Sequence, residues 1–123
     1  MAGEYVPLVM IPRFTTLAGT PTGGFATIGL DVTAYANATL NTYMGPLMGT
    51  TGTTKIFFEE STDQTSWKVC SGGDVAGDNL TENDETSRTV ALARRWFRVR
   101  IVHPNADNLA TYWSMGFLER RES

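Results

Sequence analysis

The chain has 123 residues, of which 41% are hydrophobic and 19% are charged, and its formal net charge is −3. This length and composition fit one globular domain with a real core and argue against a disordered protein. A charge of this size predicts neither a nucleic-acid nor a membrane partner. The single cysteine, Cys70, excludes an internal disulfide and a cluster of thiolate metal ligands.

Residues 1–24 are predicted to form an extended arm, because Pro7, Pro12 and Pro21 exclude a long helix. The arm is too apolar to remain in water, so it must be buried either on its own sheet or on a neighbouring molecule. It is therefore the predicted protein-interaction site. Its apolar side chains are Val6, Leu8, Val9, Met10, Ile11, Phe14 and Leu17.

The same N-terminal segment does not have the pattern of a signal peptide for export. It lacks the basic start of a signal peptide, and two prolines interrupt its apolar run. No apolar run in the chain approaches membrane-spanning length. We expect a protein that is made in the cytoplasm, without a signal peptide and without a membrane partner.

Residues 25–123 are predicted to form a β-sandwich domain, because apolar and polar residues alternate with period two in most of its segments. RRWFRVRIV is the clearest segment. In it, Phe97, Val99 and Ile101 alternate with Trp96, Arg98 and Arg100. No segment has a sustained helical period. The prediction is an all-β fold, a two-sheet antiparallel β-sandwich of the jelly-roll type with seven to eight strands.

Each strand is expected to bury its more apolar face. KIFFEES and WKVC then place Ile56 and Phe58 on the same side as Trp67 and Val69. In TYWSMGFLERR, the apolar set consists of Trp113, Met115 and Phe117.

The stretch EESTDQTSWKV, residues 59–69, predicts a hairpin in which Asp63 accepts hydrogen bonds from the amides just ahead of it. The pattern S-x-D-x-x-x-W, followed later by R-W-F-R-V-R, resembles the core of discoidin-type (galactose-binding-like) jelly-roll domains. The resemblance covers residues 55–119 and implies a structural role for the hairpin. Gln64 stands where that family usually has glycine, the family's frequent cysteine pair is absent, and its binding loops have no counterpart here.

Residues with catalytic chemistry are sparse. His103 precedes Pro104 and is predicted to be a surface turn residue, and Cys70 a small buried hydrophobe. Glu59 and Glu60 are neighbours on a strand, so they point to opposite faces and cannot share a substrate. No enzyme and no cofactor are predicted.

An acidic loop raises the alternative of a calcium site, because oxygen ligands are what calcium prefers. Its spacing does not follow the EF-hand pattern, and acidic loops are usually solvated, so no metal is predicted. The oxygen-bearing residues are Asp74, Asp78, Asn79, Glu82, Asp84 and Glu85.

A basic stripe around Trp96, made by Arg94, Arg98 and Arg100, has two interpretations. It could track phosphates and stack a base, or its arginines could pair with acids of the central segment across strands. The acidic total favours pairing, so direct nucleic-acid binding is not expected. The stripe remains a secondary contact surface.

These features favour a non-enzymatic virion protein, a decoration or cement subunit of a tailed phage capsid, whose arm contacts an adjacent subunit on a repeating lattice. Its predicted partners are further copies of itself, the major capsid protein, or both. The alternative is a carbohydrate-binding module of discoidin-like fold. That module would use the loops 45–54 and 71–87, with Tyr43 or Trp96 stacking on a sugar.

Overall fold

The computed structural model describes residues 4–121, and within that range the chain is all-β. Two antiparallel sheets stack as a sandwich, which confirms the predicted fold class. There are ten strands rather than seven or eight, because four of them are only two or three residues long. The strands are β1 (Tyr5–Ala18), β2 (Phe25–Ala26), β3 (Leu30–Asp31), β4 (Tyr35–Met44), β5 (Thr54–Ser61), β6 (Lys68–Val69), β7 (Asp78–Leu80), β8 (Asp84–Ala91), β9 (Trp96–Val102) and β10 (Leu109–Arg120).

The four-stranded sheet has the order β1-β10-β4-β8, and the six-stranded sheet is built around β9 and β5. Strands β2 and β3 both pair with β9, while β6 and β7 both pair with β5. Neighbouring strands in each sheet are mostly distant in sequence, as in a sandwich with crossing connections. The core between the sheets is filled from both sides; its largest fully buried hydrophobic side chains are Tyr112, Phe97, Leu40, Met44, Ile56, Ile101, Val32, Val90 and Val99.

The segment predicted as an arm differs from that expectation. Residues 5–18 form β1, which pairs with β10 along its length and lies at the edge of the four-stranded sheet. Leu8 and Ile11 enter the common core, where they are 7% and 6% exposed. The apolar residues of this segment thus find part of their burial on their own sheet. The contact of this segment with a neighbouring molecule stays a prediction.

The phase of β10 is opposite to the expected one. Its inward residues are Ala110, Tyr112, Ser114, Gly116 and Leu118, while Trp113, Met115 and Phe117 point outward. Gly116 lies where β10 approaches the backbone of β4 closely. A Cβ on this residue would lie 2.8 Å from the Thr39 carbonyl carbon, which is closer than side-chain atoms can approach.

Trp67 and Val69 are also on the other side from the one predicted. Val69 pairs directly with Glu59, so both lie on the outer face of the six-stranded sheet, whereas Ile56 and Phe58 face the core. Cys70, one residue further on, is the buried residue of this segment. A shift of one residue reverses every side chain of a strand.

The hairpin at residues 59–69 contains the hydrogen bonds predicted for Asp63. The Asp63 carboxylate accepts hydrogen bonds from the amides of Thr65 (2.9 Å) and Ser66 (3.0 Å). These bonds lower the pKa of Asp63 below its usual value. Gln64 has a φ of 62°, in the left-handed region that favours glycine. This explains why a related hairpin would carry glycine at that position.

Candidate interaction surfaces

The seven apolar residues predicted for contact differ in how exposed they are on β1. Leu8 and Ile11 are buried, and Val6, Met10 and Leu17 are partly buried. Val9 and Phe14 remain 57% and 83% exposed. Because an exposed large apolar side chain gains nothing from its own core, these two residues are the part of the predicted site that is open to a partner.

An apolar groove runs between β1 and residues 25–30 of the other sheet. One section of about 300 Å³ is lined by residues 8–10 and 27–30, and a second section of about 150 Å³ by residues 10–12, 15, 17 and 25–27. Ile28, at its rim, is 91% exposed. We call this feature the β1 groove. Ile28 was not among the residues predicted for contact.

Phe14 lies in an irregular part of β1. The pairing with β10 shifts between Ile11 and Thr15, and Phe14 has a φ of 65°, which a bulky residue rarely adopts. Pro7 and Pro12 further interrupt β1 by removing two amide donors. Bulges and prolines are features that discourage an edge strand from pairing with another strand. Contacts at this edge therefore depend on side chains.

The outward side of β10 is a second apolar surface. Phe117 is 39% exposed, Leu109 is 40% exposed, and Trp113 and Met115 are partly exposed. Tyr5 of β1 packs edge-to-face on Phe117 with ring centroids 5.1 Å apart. We call the outward residues Trp113, Met115 and Phe117, with Tyr5, the β10 face.

Aromatic stacking continues across the sheet from the β10 face. Tyr43 of β4 stacks on Trp113 with centroids 5.8 Å apart. The guanidinium of Arg13 lies 5.3 Å from the centre of the Trp113 ring. A flat, aromatic sheet face of this kind is typical of a contact surface.

The outer face of the six-stranded sheet is organised by charge. The Glu59 carboxylate accepts hydrogen bonds from Arg98 Nε at 2.9 Å and from Arg100 Nη2 at 3.0 Å. Each guanidinium also covers an aromatic ring: Arg98 lies 4.3 Å from the ring centre of Trp67, and Arg100 lies 4.1 Å from that of Phe57. We call these five residues the charged ladder. Glu59 is only 5% exposed within it.

The predicted secondary surface borders this ladder. Trp96, Arg98 and Arg100 share one face of β9, as the alternation predicted, and the expected pairing with acids is confirmed. Arg94 approaches Glu60 at 3.6 Å, on the opposite side of β5 from Glu59. Because these guanidinium groups already have acidic partners, the stripe offers little net positive charge to a phosphate backbone.

His103 is buried, at 3% exposure, and is not the surface turn residue that the sequence predicted. Its Nε2 lies 2.7 Å from the Tyr112 hydroxyl, and its Nδ1 lies 3.0 Å from the Gly19 carbonyl oxygen. Burial lowers the pKa of His103 and raises the pKa of Tyr112 to about 12. The pair joins the first part of β10 to the turn after β1. The sequence around Pro104 does not indicate this tertiary contact.

The other candidate chemical groups are dispersed. Cys70 is a free, buried thiol, as predicted, and burial raises its pKa. In the acidic loop, Asp78 receives a hydrogen bond of 2.9 Å from Arg88 Nε, and Asp74 accepts one from the Ala76 amide. Within residues 4–121, no three acidic, histidine or cysteine side chains converge as a metal site, and no helix has the length and apolarity to cross a membrane.

The fold is similar to two solved structures. The PBSX exported protein XepA has a TM-score of 0.64 and 20% identity over 96% of this chain. The capsid asymmetric unit of cyanophage Pam1 has a TM-score of 0.54 and 11% identity, with 96% of this chain and 86% of that one covered. This chain spans 38% of the length of XepA.

No protein-family model and no curated protein sequence matches the chain. At these identities, the two structures establish a shared β-sandwich fold. They do not confirm the discoidin-type assignment. One of them is a component of a phage capsid.

Proposed function

We propose that this chain is a non-enzymatic structural protein of a phage particle, and that it acts as a decoration or cement subunit on the capsid. The observation that carries the proposal is the fold shared with the cyanophage Pam1 capsid unit over 86% of that chain. The proposed partner is the major capsid protein, in contact with the β1 groove, and the proposed location is the virion.

The distribution of side chains supports this proposal. The two arginines of the charged ladder share the Glu59 carboxylate, and several large apolar residues on β1 and beside it remain exposed. Val9, Phe14 and Ile28 would each gain by removal from water against another protein. Many weak contacts of this kind become strong on a repeating lattice, because each bound copy is held at high local concentration.

The carbohydrate-binding alternative has weaker support. A sugar stacks on an open aromatic face, but the Trp96 ring is covered by the Arg95 guanidinium at 4.8 Å, and Tyr43 already stacks on Trp113. Aromatic-dependent binding on a glycan array would restore this alternative.

Mass spectrometry of density-gradient fractions tests the location. Trypsin releases residues 69–88 as one peptide, which serves as a marker of the chain. We expect this peptide in the fractions that contain assembled particles from the source cells. Its confinement to the soluble fractions of particle-producing cells would contradict the proposal.

Point substitutions test the surface more sharply than removal of the first residues, because truncation would take Leu8 and Ile11 out of the core. An epitope-tagged chain is supplied during particle production. Val9→Asp and Ile28→Asp should reduce particle association strongly, while Val75→Asp, at another site that is 83% exposed, should not.

Neighbouring residues on β1 provide the folding control for that experiment. Leu8→Ala should cost about 2–3 kcal/mol of unfolding free energy, because it opens a cavity in the core. Val9→Ala should change it by less than about 0.5 kcal/mol. Equal costs at both positions in urea unfolding would mean that Val9 is not free for a partner.

A further inference from the structure

The β10 face is an apolar surface that the β1 groove does not include. In β10 the apolar residues are divided between the two sides: Tyr112 and Leu118 face the core, while Trp113, Met115 and Phe117 face outward. The inward positions between Tyr112 and Leu118 are Ser114 and Gly116, and β4 approaches closely at Gly116. A rigid aromatic surface loses little conformational entropy when it binds.

The charges at the two ends of this face are opposite. At one end, Arg13 lies over Trp113. At the other end, Glu119 points outward, paired in register with Tyr5 of β1 and bonded to the Asn37 amide at 3.1 Å. Six residues separate Trp113 from Glu119 on β10, which is about 20 Å of extended chain. The face thus has Arg13 at one end, an apolar middle and Glu119 at the other end, and the exposed Glu85 of β8 lies beside Tyr43 at the Arg13 end.

That order is self-complementary. If a second copy packs its β10 face on the first across a two-fold axis that lies in the interface and crosses the strands, each strand end meets the opposite end of its partner. Glu119 of one copy then lies above Trp113 of the other, where the Arg13 guanidinium is. The axis passes at the level of Gly116, which brings Met115 of one copy against Phe117 of the other.

Edge-to-edge pairing does not offer the same fit. The prolines and the irregular Phe14 segment interrupt the backbone groups that β1 would present to another strand. Face-to-face packing of sheets needs only side chains, and it keeps the strands within about 30° of alignment.

We infer that the β10 face is the contact between two copies of this chain in a two-fold dimer, closed at each end by an Arg13–Glu119 ion pair. This dimer is a separate claim from attachment to a particle. Val9 pairs with Met115 and borders both surfaces, but Ile28 belongs to the β1 groove and Phe117 to the β10 face, so substitutions at those two residues let either claim fail alone.

Sedimentation equilibrium of the full chain tests the dimer. The unmodified protein should be dimeric at high micromolar concentration, and a monomer there would overturn the inference. Phe117→Ser should raise the dissociation constant about hundredfold by removing the central apolar contact. Val75→Ser, an exposed apolar residue far from this face in sequence, should leave it unchanged. An unchanged dissociation constant in Phe117→Ser would also overturn the inference.

Charge reversal tests the symmetry. Arg13→Glu alone and Glu119→Arg alone should each raise the dissociation constant of the dimer about hundredfold. Each substitution creates two like-charge contacts in the dimer. A mixture of the two variants should re-form a stable dimer, since every contact in the mixed pair is then between opposite charges.

A head-to-tail ring of three copies could not be restored by this mixture, because an odd ring cannot alternate the two variants. Failure of the mixture to associate, with each variant folded by circular dichroism, would therefore overturn the two-fold arrangement. Dimers that persist in the Arg13→Glu variant alone would overturn the ion pair.

Discussion

On the six-stranded sheet, charged and aromatic outward residues of β5 and β9 contact one another, with the Glu59 carboxylate shared by Arg98 and Arg100. On the four-stranded sheet, the outward residues of β10 are Trp113, Met115 and Phe117, and Phe117 stays 39% exposed beside Tyr5. Both faces contain large side chains, but in the charged ladder two ion pairs and two cation–π contacts hold them in place. The comparison shows that the two sheets of one sandwich can cover their outward aromatic side chains to different extents.

Gly116→Ala is the change with the largest expected effect on this comparison. The new methyl group would collide with the Thr39 carbonyl and separate β10 from β4, at a cost of about 3 kcal/mol or more in unfolding free energy. Gly45→Ala is the matched control, because a Cβ there would meet no atom closer than 3.4 Å. If both variants unfold at the same urea concentration, the close approach of β4 does not restrict the side chain at position 116.

Glu59→Gln tests how far the charged ladder is self-contained. The substitution keeps the side-chain shape but leaves Arg98 and Arg100 without their shared negative partner, and it should cost about 2 kcal/mol. Glu85→Gln, at an exposed position on β8, should change stability by less than about 0.5 kcal/mol. Urea unfolding of the two variants measures the difference, and a small effect at Glu59 would mean that the aromatic contacts alone support this face.

The smallest expected effect is a dependence of stability on pH. It arises from His103 and Tyr112, which are buried and belong to neither outer face. Because the pKa of His103 is lowered in the folded protein, the unfolded chain takes up the proton first, and stability should fall as the pH drops below about 6.5. The raised pKa of Tyr112 has the mirror consequence, a loss of stability as the pH rises above about 10.

Thermal unfolding measured across this pH range checks both directions. His103→Gln should flatten the acidic side of the profile and leave the alkaline side in place. A variant profile with the same acidic slope as the unmodified protein would assign that slope to other groups.

Several parts of this structure could be predicted from local sequence. Alternation identified the all-β class and the correct inward set in β9, because Phe97, Val99 and Ile101 differ so strongly in character from their neighbours. It also placed Arg98 and Arg100 on one face, and the expected pairing with acids of the central segment occurs at Glu59. The turn at Asp63 was predictable, since its hydrogen bonds join residues two and three apart.

The candidate surfaces were harder to predict. Alternation states which residues share a side but not which side is inward, and β10 is apolar on the side that faces out. The arm was predicted from its prolines and apolar content, but those features do not reveal a pairing with β10, which is about a hundred residues away in sequence. His103 was misjudged for the same reason, because its partner Tyr112 belongs to another strand.

The sequence by itself determined the local units of this protein: short alternating strands, tight polar turns, and a leading segment too apolar for water. The tertiary structure decided how those units face one another. It did so because the inward side of a strand is set by the packing of one sheet on the other, as in β10, where Trp113, Met115 and Phe117 face outward. A burial pattern therefore belongs to the packed sheets and not to any one segment.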